Sequence, residues 1–283
     1  MPAVESPLTD FFRKFRRQRA GVFASIVVGM LVLVACIGPY IAPYDPTAPD
    51  YDAILAQPSA EHWAGTDQFG RDILSRIIYG ARISLSVGLI SVFTGAMIGI
   101  FFGLTCGYYG GKYDSLVMRA CDILLAFPGI LLAIAVVAIL GPGLFNVIVA
   151  VAIFTIPVFI RIVRGNTLVL KNMTYIEAAR AMGIRDFTII AKHIFPGTLS
   201  VVSVYFTMTT GTAILIASSL SFLGISGDPS LPEWGAMLSS SRDFLATASH
   251  VVLFPGLAIF ITCLSFNLLG DAIRDALDRK IKD

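Results

Sequence analysis

T-Y-I-E-A-A-R-A-M-G-I-R-D-F-T-I-I-A-K-H-I-F-P, residues 174–196, is a polar interruption in a very apolar chain. Thr174 and Glu177 stand at the spacing of a capping box, which predicts a helix beginning at Tyr175. Residues 177–182 are good helix formers. Gly183 stands where a helix closes on a left-handed residue. A helix of about two turns does not persist alone in water, so it must dock on something. Tyr175, Ala178, Ala179 and Met182 share one face by the i, i+3, i+4, i+7 rule, and the two alanines allow close approach of another backbone. Asp186 is placed to cap a second short helix ending before Pro196.

The surroundings of this stretch set the class. The 283 residues are 56% hydrophobic and 14% charged, against about 25% charged in soluble domains, and the mean hydropathy is +0.79. The chain is expected to be an all-α integral membrane protein. A net charge of +2 makes no case for nucleic-acid binding. Cys36, Cys106, Cys121 and Cys263 lie in or beside apolar segments without metal spacing and read as small packing residues. His62, His193 and His250 are scattered and suggest no metal site.

Upstream, residues 123–160 carry no charge and are too many for one ordinary span. Gly141-Pro142-Gly143 divides them into two helices and an external turn, while Pro128 and Pro157 should kink or end helices. Downstream, a span over 199–223 carries Ser203, Thr207, Thr209, Thr210, Thr212, Ser218, Ser219 and Ser221. Those hydroxyls either bond the helix's own carbonyls or line a wet path. A last span covers 251–270. Before them, residues 83–109 form a span with Gly95, Gly99, Gly103 and Gly107 at every fourth position. Such a ridge lets another helix approach closely, since association in lipid rests on packing. The first apolar run, 21–42, reaches ~33 Å as a helix, enough for a bilayer core of ~30 Å. Leu33-Val34-Ala35-Cys36 resembles a lipoprotein processing site, but the run continues past Cys36, so it reads as a signal-anchor helix.

Six spans result, with both ends inside. The divisions are a cytoplasmic tail (1–20), helix one (21–42), an extracytoplasmic segment (43–82), a core of helices two to six (83–270) containing the loop 164–198, and a cytoplasmic tail (271–283). Of the 21 Lys and Arg, all but Arg71, Arg76, Arg82 and Arg242 then fall on the inner side, as the positive-inside rule requires.

The E-A-A string, with Gly183 and Pro196 at set distances behind it, resembles the EAA loop of ABC-importer permeases, although His193 stands where Ile is common and Phe195 where Leu is. Longer strings resemble the dipeptide, oligopeptide and nickel branch of that family. They are G-T-D-Q-F-G-R-D-I-L-S-R (65–76), P-E-W-G-A-M-L (232–238) and N-L-L-G-D-A-I-R-D-A-L-D (267–278). Within the first of these, Asp72 and Arg76 are expected to pair along a helix. The resemblance implies a type I permease fold and a multi-pass protein of the bacterial inner membrane. It implies a sister permease, two ABC ATPase subunits that use ATP and Mg, and an extracytoplasmic substrate-binding protein. It assigns ATPase coupling to Tyr175, Glu177, Ala178, Ala179, Arg180, Met182 and Gly183. Glu177 either completes its own cap or pairs with a basic group on the ATPase. R-G-N-T-L-V-L-K (164–171) and the string over 126–141 look closest to dipeptide and glutathione permeases. That favours small peptides as the solute, with nickel or a metal chelate as the in-family alternative.

A secondary carrier is the alternative of another class. No Asp, Glu, Lys or Arg lies within the central spans so drawn, which argues against proton coupling. Gly111-Lys112 is followed by Tyr113 where a P-loop needs Ser or Thr. The chain is therefore expected to hold no catalytic residue, metal or cofactor of its own.

Overall fold

The structure, a computed structural model, describes residues 7–277, and its elements are helices. Helix α1 (Pro7–Arg17) stands where the sequence suggested only a polar tail, with Asp10 paired to Arg13 and Lys14 at 2.7 and 3.2 Å. Gln18, with φ −90° and ψ 95°, separates it from α2 (Arg19–Ile41), the first span. Helix α3 (Ile73–Tyr109) begins well before the expected residue 83, because Asp72 caps it and accepts from Ser75 N at 2.7 Å. At ~1.5 Å per residue its length is ~55 Å, well beyond the ~30 Å of a bilayer core.

Helix α6 (Leu144–Leu170) lies against α3. A Cβ at Gly103 would come within 2.7 Å of Val163 Cβ, and one at Gly107 within 2.6 Å of Thr167 Cβ. Gly95 and Gly99 abut Thr155 and Phe159 even more tightly. Residue numbers rise together on the two helices, so α3 and α6 run parallel. The chain between them must return across the membrane. That return is made by α4 (Gly111–Ala126) and α5 (Gly129–Leu140), which meet at a 96° bend. Asp114 and Asp122 of α4 reach Arg164 and Arg161 of α6. Gly129 of α5 abuts Phe154, and Asn146 bonds the carbonyls of Leu140 and Gly141. The pair thus ascends antiparallel to α6. The third span is a broken one, because Pro128 disfavours the α region at Phe127, which is extended at φ −87°, ψ 137°. Pro157, in contrast, is carried inside α6 without ending it.

Helix α7 (Thr174–Ala181) follows a tight turn, then α8 (Asp186–Ile189). A π turn over Ile190–Ile194 leads directly into α9 (Phe195–Phe222). The second short helix therefore does not end before Pro196. Pro196 sits in the first turn of α9, and the widened turn before it, with Phe195 N bonded to Ile190 O, absorbs its missing donor. Helix α10 (Trp234–Ser241) occupies the segment between α9 and α11 (His250–Leu277). Gly270 abuts Met208, and Gly211 abuts Phe266, so α9 and α11 are antiparallel. Gly21 against Ala272 and Gly38 against Ile78 seat α2. Ser203, Thr207, Thr210 and Ser219 bond carbonyls of their own helix. The four cysteines are free thiols, two of them buried. Helix α11 carries the chain past residue 270 into the expected tail; 278–283, like 1–6, lies outside the described residues.

Gly99→Leu would drive a side chain into Phe159 and separate α3 from α6. Overpacking of this kind costs ~1–3 kcal/mol. The monodisperse fraction after detergent extraction should fall sharply, while Phe101→Leu, at an exposed position of the same helix, should extract like the wild type.

Candidate functional site

At the end of α6, the N–H of Met173 bonds Leu170 O, and the carbonyl of Met173 receives the N–H of Ile176 and Glu177 at 2.9 and 3.2 Å. The helix thereby starts one residue earlier than predicted. Met173 becomes its N-cap, Thr174 its first residue, and the Thr174–Glu177 capping box does not form. The other end closes as the sequence indicated. Gly183 has φ +76°, its N–H bonds Arg180 O at 2.9 Å, and Ile184 N bonds Ala179 O at 3.2 Å. This pair of bonds is a Schellman motif.

The face expected to be uniform is divided. Ile176 and Ala179 are buried and join Ile189 and Ile194 in the core formed with the spanning helices. Tyr175, Ala178 and Met182 remain outside, with Met182 73% exposed and Phe187 of α8 79% exposed. Ala179 thus grips the bundle, and its place in the outward knob is taken by Phe187. Ile176 carried an available signal, because it and Ala179 are three apart and form a second apolar face. Glu177 is exposed, and its carboxylate makes no hydrogen bond among the described residues.

Three contacts tie this element to the bundle. The Tyr108 hydroxyl donates to Asp186 Oδ1 at 2.5 Å. Asp186 is therefore not a cap; Arg185 occupies that position without a side-chain bond. Arg180 lies over the Tyr108 ring, 5.0 Å from its centroid. Lys171 Nζ donates to Gly107 O at 2.8 Å. Beside them, Arg164 grips Asp114 through Nε and Nη2 at 2.5 and 2.6 Å, a bidentate geometry. Tyr108 left no trace in the local sequence, since its partner lies far along the chain.

At the other end of the molecule, the charged string at 65–76 is buried. Asp67 Oδ1 accepts from Phe69 N and Arg71 N, and Oδ2 from Arg71 Nε at 2.7 Å. Arg76 does not pair with Asp72. It is 1% exposed, with Nε 3.6 Å from Asp67 and its Nη atoms on the carbonyls of Pro46, Ser230 and Leu231. Asp72, committed to its cap, takes His62 Nδ1 at 3.0 Å. One guanidinium thus joins the loops preceding α3 and α10. Glu233 caps α10 through Gly235 N and Ala236 N. Burial pushes its carboxyl pKa up, and the two N–H bonds oppose that shift. Trp234 beside it is buried, with its indole N–H on Ile77 O.

Two family models match the chain. Residues 99–283 match the "Binding-protein-dependent transport system inner membrane component", and residues 6–58 match the "N-terminal TM domain of oligopeptide transport permease C". Among curated relatives, the glutathione transport system permease protein GsiD of Pectobacterium atrosepticum is 55% identical over 281 residues, 99% of this chain and 93% of the relative. The proteins of the same name from Escherichia coli O157:H7 and Shigella sonnei are each 56% identical over 280 residues, 99% of this chain and 92% of theirs.

Tyr108→Phe removes only the hydroxyl that holds Asp186. A hydrogen bond to a charged group contributes ~1.5–3 kcal/mol. Amide hydrogen exchange across residues 174–189, measured in nanodiscs, should accelerate about tenfold or more, while exchange in α10 stays at the wild-type rate.

Proposed function

Because the chain belongs to the inner-membrane components of binding-protein-dependent transport systems, in the dipeptide and oligopeptide branch of ABC-importer permeases, we propose that it forms, with a sister permease, the path by which glutathione and similar short peptides enter the cell. The choice of solute is supported by relatives at 55–56% identity that are named as glutathione permeases. The energy comes from two ATPase subunits that bind ATP and Mg, and an extracytoplasmic binding protein delivers the solute. This chain is the non-catalytic conduit.

The observation that carries the coupling mechanism is the exposed apolar knob of Tyr175, Met182 and Phe187 at the cytoplasmic end. Exposed apolar surface of this kind marks an interaction site, and a cleft in the ATPase is its partner. The knob is small and capped at Gly183, so it moves as a unit. Ile176 and Ala179 hold it to the core. Movement passes to α9, with which α8 is continuous through the π turn. It passes to α3 through Tyr108–Asp186 and Lys171–Gly107. Closure of the ATPase pair on ATP draws these helices together and turns the path outward. Glu177, free of a capping role, is the residue to meet a basic group on the ATPase.

A Cβ at Gly183 meets nothing within 4 Å, so substitution there acts on backbone conformation alone. Holding a β-branched residue in the left-handed region costs ~1–3 kcal/mol. In proteoliposomes of the complete transporter, Gly183→Val should lower solute-stimulated ATPase activity and glutathione uptake about tenfold, with Gly183→Asn much less affected. Glu177→Gln should reduce coupling, because a neutral amide does not replace the carboxylate of an ion pair. Normal insertion of Gly183→Val with full activity would remove the coupling assignment. ATP-dependent uptake of nickel by a complex that takes up no labelled glutathione would remove the solute assignment.

A further inference from the structure

Helix α1 carries three phenylalanines and four bases that neither the solute path nor the coupling element uses. They are sorted by angle around the helix. At about 100° per residue, Phe11, Phe12 and Phe15 share one face, Arg13, Lys14 and Arg17 lie on the other, and Arg16 stands on the border. We propose that α1 is a docking surface for anionic lipid headgroups. It lies along the membrane surface beside the start of α2, with its phenylalanines toward the acyl chains and Arg16, Arg17 and Arg19 on the lipid phosphates.

Position is the first observation. The buried residues of α2 are Gly21, Ala24 and Gly38. Phe23, Ile26, Met30 and Leu33 form an exposed stripe along it at helical spacing. A span so exposed stands at the edge of the bundle. Gln18 alone separates α1 from this span, so α1 begins where the span leaves the hydrocarbon. The ψ of Gln18 is 95°, against about −42° in a helix. Helix α1 therefore departs from the axis of α2 and does not carry its rings straight out into water. Phe11 and Phe15 are half-buried and stack with ring centroids 5.9 Å apart. Phe12 on the same face is 58% exposed.

Charge is the second. Arg16, Arg17 and Arg19 are exposed, and their guanidinium groups make no hydrogen bond or ion pair among the described residues. A guanidinium has only donors to offer and matches the geometry of a phosphate. The acids at hand are otherwise placed. Asp10 faces Arg13 and Lys14. Helix α1 rests against α11, whose Asp271 and Asp275 are exposed, have Arg274 between them, and pair with none of Arg16, Arg17 and Arg19. The balance over both ends of the chain stays positive. In 1–20 five bases stand against Glu5 and Asp10, and in 271–283 four bases stand against four acids. The occupant of α1 has to meet both an exposed ring and unmatched cations. A basic amphipathic helix with aromatic residues on its apolar face meets both at an anionic bilayer surface, and that surface is what lies at the end of a span.

The test is amide hydrogen exchange across residues 9–17 of the complete transporter in nanodiscs. The discs contain phosphatidylcholine alone or with about one third phosphatidylglycerol, and exchange should be about fivefold slower in the second. The triple variant Arg16→Gln, Arg17→Gln, Arg19→Gln should exchange at one rate in both, with exchange across residues 174–189 unchanged. If that variant does not assemble, the wild type in salt on the order of 0.5 M reads the same interaction, because exposed charges are then screened and most of the difference should vanish. Equal wild-type exchange in the two compositions would overturn the proposal. Both fast would leave α1 uncovered, and both slow would give it a protein face as its occupant. A lipid difference that survives in the folded triple variant, or in high salt, would overturn it equally.

Discussion

In hydrocarbon, every backbone polar group must be satisfied within its own helix, so what holds one helix to the next is closeness of approach. The contact between α3 and α6 is where this constraint acts most strongly here. Gly95, Gly99, Gly103 and Gly107 receive Thr155, Phe159, Val163 and Thr167 one after another, with no side chain between the two backbones on the α3 side. The remaining topology follows from that contact. Two helices joined in parallel need a return crossing, and α4 and α5 supply it. The same direction sets the end of α6, and with it α7, at the end of the bundle where α3 closes.

The two ends of the molecule resolve opposite problems. Outside, charges are turned inward. Arg76 gathers three carbonyls and leans on Asp67, while Asp72 caps α3. Removing either member of such a buried set would strand the other, at several times the cost of a surface pair. Inside, apolar surface is turned outward. Met182 and Phe187 are left exposed on an element fastened at its base by Ile176, Ala179 and Tyr108. An element so arranged is fixed to its own bundle on one face and exposed on the other.

Some of this was legible from residues alone. Gly183 announced its own conformation, because no other residue type enters the left-handed region so cheaply. The four glycines announced a close approach by their period, though not that the visitor would be α6 of the same chain. The charged string at 65–76 announced itself by density. Its pairing was misread, because spacing along a helix ranks Asp72 and Arg76 together, whereas Asp72 stands just before the helix begins. The same local reasoning placed a cap at Thr174 and put Ala179 outside. Both errors arise from treating a docked helix as if it were free.

Composition and apolar run length by themselves determined the membrane class and the all-helical fold, since transfer of side chains into lipid is additive and local. The break at Pro128 and the close of α7 at Gly183 were likewise local, because both reside in single backbone angles. Only the tertiary structure decided which face of α7 is buried, which acid Arg76 meets, and that Tyr108 holds Asp186. Those outcomes depend on groups far apart in the chain reaching one place, and a buried polar group is satisfied by whatever lies beside it in space.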